Sequence, residues 1–89
     1  MSWACELTED ARKDLKALPR KIQERVARVL GQMAGSDPLQ GDVKALKGEE
    51  WKNVFRRRIG DYRILYTADK KQELITVLRI LIRSKKTYR

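Results

Sequence analysis

Two apolar-rich runs separated by a glycine-aspartate dipeptide constrain the fold of this chain more than any other feature. They lie within residues 52–66, KNVFRRRIGDYRILY, where Gly60-Asp61 interrupts them. β-branched and aromatic residues on both sides of such a dipeptide are typical of a β-hairpin with a tight turn. The sequence therefore predicts two antiparallel strands that meet at Gly60-Asp61.

Basic residues are concentrated on one face of this predicted hairpin, because side chains alternate between the two faces of a strand. One face holds Lys52, Val54, Arg56 and Arg58 on the first strand and Arg63, Leu65 and Thr67 on the second. The other face holds Phe55, Arg57 and Ile59, followed by Tyr62, Ile64 and Tyr66. The hairpin is thus suited to present guanidinium groups to a ligand and aromatic and aliphatic groups to a core.

Length, cysteine content and hydropathy limit the class of protein. A chain of 89 residues predicts one domain, residues 1–89. Cys5 is the only cysteine, which excludes an internal disulfide and fits a reducing compartment. No apolar run approaches the ~20 residues that span a bilayer, and the N-terminal residues lack a secretory pattern. We therefore expect a cytoplasmic protein without membrane contact.

The positive charge lies entirely in the second half of the chain. Residues 1–43 carry seven basic and seven acidic side chains, whereas residues 44–89 carry fourteen basic and five acidic ones. Such an asymmetry indicates a polyanionic partner. Nucleic acid is the first candidate, an acidic protein the second and a membrane surface the third.

A short strand and two helices are predicted before the hairpin. Trp3, Cys5 and Leu7 alternate with other residues as in a half-buried strand, and Thr8 can cap the helix that follows. Apolar residues then recur at helical spacing in two stretches that Pro19 separates: Ala11, Leu15 and Leu18, then Ile22, Val26, Val29, Leu30 and Met33. Gly35 ends the second helix, and residues 35–42, GSDPLQGD, predict a loop.

The most apolar stretch, residues 73–82 with the sequence ELITVLRILI, predicts a last strand. Its composition indicates a strand that is buried on both faces and central in the sheet. Alternation places Ile75, Val77, Arg79, Leu81 and Arg83 on one face. The predicted order is β-α-α-β-β-β, an α+β fold in which a two-helix hairpin packs on a small, antiparallel-rich sheet.

Four groups of residues carry a resemblance to a known family. They are Leu7-Thr8 with Ala11 and Leu15, then Leu46-Lys47-Gly48, then Phe55-Arg56-x-Arg58-Ile59-Gly60-Asp61-Tyr62-Arg63-Ile64-x-Tyr66, and finally the tail from Arg83 to Tyr88. The pattern covers nearly the whole chain and resembles the RelE/ParE toxin superfamily of bacterial type II toxin–antitoxin systems. The hairpin motif is the most specific part of it.

The resemblance implies a toxin with one of two activities. RelE-like members are endoribonucleases that cut mRNA in the A site of the ribosome, whereas ParE-like members poison DNA gyrase. In both branches an antitoxin covers the toxin, and the pair often represses its own operon. The expected partners are therefore a cognate antitoxin, the ribosome with its mRNA, and operator DNA through the antitoxin complex only.

The chain has no histidine, which excludes a histidine general acid or base. It also lacks a Cys/His cluster for zinc, a phosphate-binding glycine loop and a GxSxG motif, so we expect neither a metal nor a cofactor. Cleavage of RNA remains feasible with arginine, lysine and tyrosine, because RNA supplies its own nucleophile, the 2′-hydroxyl.

The resemblance assigns roles to four catalytic candidates. Arg56 and Arg63 would clamp the scissile phosphate, which suits the bidentate guanidinium fork. Arg83 would stabilise charge at the phosphate and the leaving group, and Tyr88 would orient or deprotonate the 2′-hydroxyl or stack on a base. Further contacts to RNA phosphates are expected from Lys47, Lys52, Arg58, Arg79, Lys85 and Lys86.

Alternatives to these roles remain open at this stage. Arg58 would serve equally well to bind the antitoxin, and Arg79 to form a structural ion pair. Val54 occupies a position where RelE-type nucleases often carry lysine, so Lys52 or Lys47 would have to substitute for it. Arg57 falls on the core face, where we expect it to extend to water or to pair with Asp61.

Three functional hypotheses follow. The set of Arg56, Arg63, Arg83 and Tyr88 favours a ribosome-dependent endoribonuclease, so we predict an enzyme. Val54 favours the alternative, a ParE-like gyrase inhibitor without chemistry of its own. The third hypothesis is a non-catalytic basic module of a toxin–antitoxin repressor complex.

Overall fold

A computed structural model describes residues 3–39, 41, 43–46, 48 and 53–82, which form two helices and a five-stranded sheet. The elements in chain order are β1 (Ala4–Leu7), α1 (Glu9–Lys16), α2 (Arg20–Gly35), β2 (Val43–Ala45), β3 (Val54–Ile59), β4 (Tyr62–Asp69) and β5 (Leu74–Ile82). The predicted α+β class and the order of its elements are confirmed. The structure adds one strand to that order, the three-residue β2.

The strands lie in the order β1-β5-β4-β3-β2. β1 pairs with β5 in parallel, and the other three pairings are antiparallel. β3 and β4 form the predicted hairpin, with Ile59 opposite Tyr62 across the Gly60-Asp61 turn. Gly60 adopts a φ of 56°, a left-handed value that suits glycine at a tight turn. β5 lies between β1 and β4, so it is an interior strand as predicted, and β4 occupies the middle of the sheet.

A β-bulge at Leu78 changes the direction of side chains along β5. Arg79 lies opposite Leu65, but Val77 lies opposite the next residue, Tyr66, so Leu78 is the extra residue. Val77 therefore shares the face of Tyr66, while Arg79 lies on the other face. The predicted common face for Val77 and Arg79 was wrong. The prediction of burial on both faces was wrong as well, because Arg79 is exposed.

The two helices cover one face of the sheet and enclose the core. That core contains Ala11, Val26, Leu30, Met33, Ile59, Ile64, Tyr66, Ile75, Val77 and Ile80. The apolar stripes predicted for the helices supply their part of it. Val54 and Leu65 are also buried, at 6% exposure each, although they alternate to the opposite face of the sheet.

The start of α1 is fixed to the edge of β5. The Thr8 hydroxyl accepts a hydrogen bond from the Ala11 backbone N–H at 3.1 Å, which confirms the predicted cap. The same hydroxyl donates to the Leu78 carbonyl at 3.0 Å, and the Thr8 N–H donates to the Val77 carbonyl at 3.0 Å. The chain thus stays hydrogen-bonded to β5 where it passes from β1 into α1.

Asp14 on α1 continues this attachment beyond the end of β1. Its Oδ2 accepts from the Ile80 backbone N–H at 3.0 Å and from Arg79 Nε at 2.7 Å, and its Oδ1 accepts from Arg79 Nη2 at 3.2 Å. The hydrogen bond from Arg79, aided by that from Ile80, holds the pKa of the Asp14 carboxyl below its usual range. The carboxylate therefore takes the place of a strand at this part of the β5 edge.

We expect Asp14→Asn to lower the free energy of unfolding by about 1–2 kcal/mol at pH 7, because it weakens these charge-assisted hydrogen bonds. A carboxyl whose pKa is depressed in the folded state contributes stability above its unfolded pKa, and this contribution is lost as the pH falls through the folded value. The difference from wild type should therefore shrink on acidification below about pH 4. Urea unfolding at several pH values measures it, with the exposed Glu24→Gln as control. Equal stabilities of the two variants at pH 7 would contradict the expectation.

The loop after α2 is held by two side chains from the core face of the hairpin. Tyr66 is fully buried, and its hydroxyl donates to the Pro38 carbonyl. Burial raises the pKa of Tyr66 to about 12, with smaller opposing effects of Arg57 and Asp37. The Arg57 guanidinium lies against Gly41, where a Cβ would overlap it. The Arg57 side chain thus extends from the core face of the hairpin to this loop.

No helix in the described ranges is both long and apolar enough to cross a membrane.

Candidate nucleic-acid interface

Three arginines of the hairpin lie together on the face of the sheet that points away from the helices. We call Arg56, Arg58 and Arg63 the arginine cluster. Arg58 lies directly opposite Arg63 in the β3–β4 pairing, and Arg56 lies opposite Leu65 in the next row of that face. Directly opposed Cα atoms in antiparallel strands are about 4.5–5.5 Å apart. The predicted charged face of the hairpin is therefore present, and it brings Arg56 and Arg63 into neighbouring rows.

Arg56 has hydrogen-bond donors that no described residue uses. Its Nε and Nη2 atoms are buried, and neither has a partner in the described part of the chain. Arg56 and Arg63 are half-buried as whole residues, whereas Arg58 is exposed. A guanidinium keeps its charge at any physiological pH and has only donors. The unused donors of Arg56 are of the kind that an oxygen-rich anion satisfies.

Basic side chains occupy neighbouring positions on this face of the sheet. The row through Arg56 contains Lys44, Arg56, Leu65 and Arg79, and the next row contains Arg58, Arg63 and Leu81. Neither row contains an aspartate or glutamate. Like charges at opposed positions destabilise a sheet by a few tenths of a kcal/mol to about 1 kcal/mol unless something compensates them. Guanidinium groups in this arrangement are suited to bidentate contacts with a phosphate.

Arg79 has a different environment from the arginine cluster. It alternates to the same face, but its Nε and Nη2 are bound to Asp14, as described above. The structural ion pair considered from the sequence is thus observed. The Arg79 side chain remains 47% exposed, and a role in RNA binding stays a prediction.

Lys44 is a basic residue of this face that the sequence analysis did not identify. It lies on β2 opposite Arg56. β2 was not predicted as a strand because three residues are too few for a periodic pattern. The only available signal was the alternation of Val43, Lys44 and Ala45 between apolar and charged side chains.

Six of the predicted site residues lie outside the described residues. They are Lys47, Lys52, Arg83, Lys85, Lys86 and Tyr88. Of the four catalytic candidates, the structure therefore brings two together, Arg56 and Arg63. Within the described ranges, no group of three or more histidine, cysteine, aspartate or glutamate side chains could hold a metal ion.

Comparison with known families identifies the chain. A family model described as the ParE toxin of the type II toxin–antitoxin system parDE matches residues 5–87. This chain belongs to the RelE/ParE family of toxins. The match covers the hairpin with its arginine cluster, and it confirms the resemblance seen in the sequence. No curated protein sequence matches the chain.

Solved structures of related toxins agree with this assignment. The chain is similar to the toxin–antitoxin complex RelBE2 from Mycobacterium tuberculosis, with 31% identity and a TM-score of 0.82 over 93% of this chain and 100% of that one. The archaeal RelE–RelB complex from Pyrococcus horikoshii OT3 has 24% identity and a TM-score of 0.79 over 96% and 99% of the two chains. The isolated Escherichia coli RelE toxin has 15% identity and a TM-score of 0.77 over 97% and 89%. The latter two show the shared fold.

Proposed function

We propose that this toxin is a ribosome-dependent endoribonuclease that cuts mRNA and so inhibits translation in the cytoplasm. The observation that carries the proposal is the arginine cluster, in which Arg56 retains buried donors and Arg58 lies opposite Arg63. Such a surface is suited to an RNA phosphate whose charge increases during the reaction. Preorganised donors stabilise that charge because they need not reorient in the transition state.

The reaction requires only groups that the chain and its substrate contain. The 2′-oxygen attacks the adjacent phosphorus, the bond from phosphorus to the 5′-oxygen breaks, and the products are a 2′,3′-cyclic phosphate and a 5′-hydroxyl. Arg56 and Arg63 hold the non-bridging oxygens. Tyr88 orients the 2′-hydroxyl or, as the phenolate, accepts its proton, and Arg83 stabilises the charge on the leaving 5′-oxygen, which takes up a proton from water.

Dependence on the ribosome follows from the shortage of a strong base. A tyrosine with a reference pKa near 10 is mostly protonated at neutral pH, although nearby positive charge lowers such a value. Much of the acceleration must therefore come from holding the 2′-oxygen, phosphorus and 5′-oxygen in line. A bound ribosome fixes the mRNA in a way that an 89-residue toxin alone does not.

The same basic face supports an antitoxin as partner. The similar structures from M. tuberculosis and P. horikoshii are toxin–antitoxin complexes. By extension, an acidic segment of a cognate antitoxin would fold over this toxin and neutralise the arginine cluster. Operator DNA would be bound by that complex rather than by the toxin alone.

A ParE-like inhibitor of DNA gyrase is the second candidate, because the matching family model is named for ParE. In that case the basic face would bind protein and perform no chemistry. The two candidates differ in their target, so one pair of assays separates them.

We expect the wild-type toxin to cut a defined mRNA at the A-site codon of programmed ribosomes and to leave gyrase supercoiling unchanged. Primer extension maps the cuts, and a supercoiling assay with the same protein preparation runs in parallel. Intact mRNA together with inhibited supercoiling would transfer the chain to the gyrase-inhibiting branch. If neither assay shows an effect, the hypothesis that remains is a non-catalytic basic module of a toxin–antitoxin repressor complex.

A further inference from the structure

Lys44 occupies a position in the sheet that makes it part of the anion-binding surface. We propose that its ammonium group binds the same RNA phosphate as Arg56, from the outer edge of the sheet. The part of this inference that concerns catalysis rests on the proposed RNA-cleaving function. The part that concerns phosphate binding can be tested without cleavage. Lys44 lies on β2, outside the hairpin, so the sequence pattern of the hairpin does not identify it.

The register of β2 fixes the direction of the Lys44 side chain. Val43 lies opposite Arg57 and Ala45 lies opposite Phe55, both on the core face of β3. Val43 packs against the hydrophobic core. Because successive side chains alternate, Lys44 must point to the other face, where it is opposite Arg56. Lys44 is exposed, so its ammonium group is accessible to a ligand.

The length of a lysine side chain brings its ammonium group to the arginine cluster. Opposed Cα atoms are about 4.5–5.5 Å apart, and a four-carbon stem spans a similar distance. A lysine on the edge strand can therefore place its ammonium group above the guanidinium of Arg56. The two groups complement each other, because a guanidinium binds two oxygens in a plane and an ammonium donates in several directions.

The charge distribution around Lys44 favours an anion as its partner. Its row of the sheet contains no carboxylate, and Arg79 at the other end of that row is bound to Asp14. Arg56 next to Lys44 has buried donors without a described partner. Two adjacent cations with this arrangement repel each other until an anion binds between them. A phosphodiester carries the required charge and oxygens.

Lys44 also fits this role better than a lysine at position 54 would. Val54 is buried at 6% exposure, so an ammonium group there would lose its hydration. The substitutes expected from the sequence, Lys47 and Lys52, lie outside the described residues. Among the lysines within the described ranges, Lys44 is the one whose register places it beside the arginine cluster.

The test compares Lys44→Gln with Lys44→Arg and with the control Lys70→Gln, which removes an exposed lysine from the turn between β4 and β5. We expect Lys44→Gln to lower kcat/KM for cleavage on programmed ribosomes by about ten- to a hundredfold, somewhat less than a fully buried donor would cost. Lys44→Arg should retain most of the activity. Lys70→Gln should stay within about twofold of wild type. Urea unfolding of each variant checks that folding is unchanged.

A binding assay separates this inference from the proposed function. The probe is a single-stranded RNA with a 2′-deoxy nucleotide at the cut position, which binds without reacting. Lys44→Gln should weaken its binding and reduce the slope of log K against log salt by about 0.7, the value for one single-strand phosphate. If wild type cuts nothing, this difference from Lys70→Gln still supports the phosphate site. If Lys44→Gln and Lys70→Gln behave alike in both assays, the inference is wrong, whatever wild type does.

Discussion

Arg63→Ala is expected to lower the rate of mRNA cleavage on ribosomes by about a hundredfold or more, the usual cost of losing one preorganised donor to a developing charge. Arg63 lies on β4, the middle strand, which holds its backbone between two neighbours. Its position opposite Arg58 directs both guanidinium groups to the same space. Single-turnover cleavage at saturating ribosome concentration measures the effect on the chemical step itself.

Two further variants define what Arg63 contributes. Arg28→Ala removes an exposed arginine from α2 and should leave the rate within about twofold of wild type, as surface changes usually do. Arg63→Lys keeps the charge but loses the planar fork, so we expect an intermediate loss. A rate for Arg63→Ala equal to that of Arg28→Ala would remove Arg63 from the catalytic site. Equal rates for Arg63→Lys and wild type would show that charge alone is sufficient.

Val54→Lys is expected to lower the free energy of unfolding by about 3 kcal/mol at pH 7, because it places an ammonium group where a buried apolar side chain lies. The exposed fraction of Val54 is only 6%. Burial of a lysine lowers its pKa in the folded state, so the destabilisation is greatest at neutral and acidic pH. It should decrease as the pH rises toward about 10, where the unfolded chain also loses the proton.

Urea unfolding between pH 6 and about pH 10 tests this expectation. Val54→Ala provides the matched control, because it removes the same apolar contacts without adding a charge and its effect should not change with pH. A stability of Val54→Lys equal to wild type at pH 7 would mean that position 54 tolerates an ammonium group. The RelE-type lysine could then be restored at this position, and Lys44 would not be needed to replace it.

Local patterns in the sequence predicted the parts of the fold that depend on neighbouring residues. The Gly60-Asp61 turn fixed the hairpin register, so the faces assigned to Arg56, Arg58 and Arg63 were confirmed. Thr8 and Gly35 marked helix ends correctly, because capping and backbone conformation act within a few residues. These features require no knowledge of the rest of the molecule.

Features that depend on contacts beyond the hairpin were not predicted. β2 is a strand only because it pairs with β3, and the position of Lys44 opposite Arg56 depends on that pairing. The bulge at Leu78 lies within an apolar-rich stretch, where no residue type marks it. The ion pair of Asp14 and Arg79 joins residues 65 positions apart, so it could be considered from the sequence but not established. The face that carries the arginine cluster was therefore predictable, whereas the arrangement around it was not.

The extra residue, Leu78, divides β5 into two halves. Odd-numbered positions face the core in the first half, and even-numbered positions face it in the second. Before the bulge, odd-numbered residues close the core, as Ile75 and Val77 do with no exposed surface. After it, the even-numbered Ile80 does so, and an odd-numbered position carries the charged Arg79. One strand can thus supply both a hydrophobic interior and a cationic exterior. If Leu78 were instead paired as a regular strand residue, alternation from Val77 onward would exchange the two roles in the second half and bring Arg79 beneath the helices.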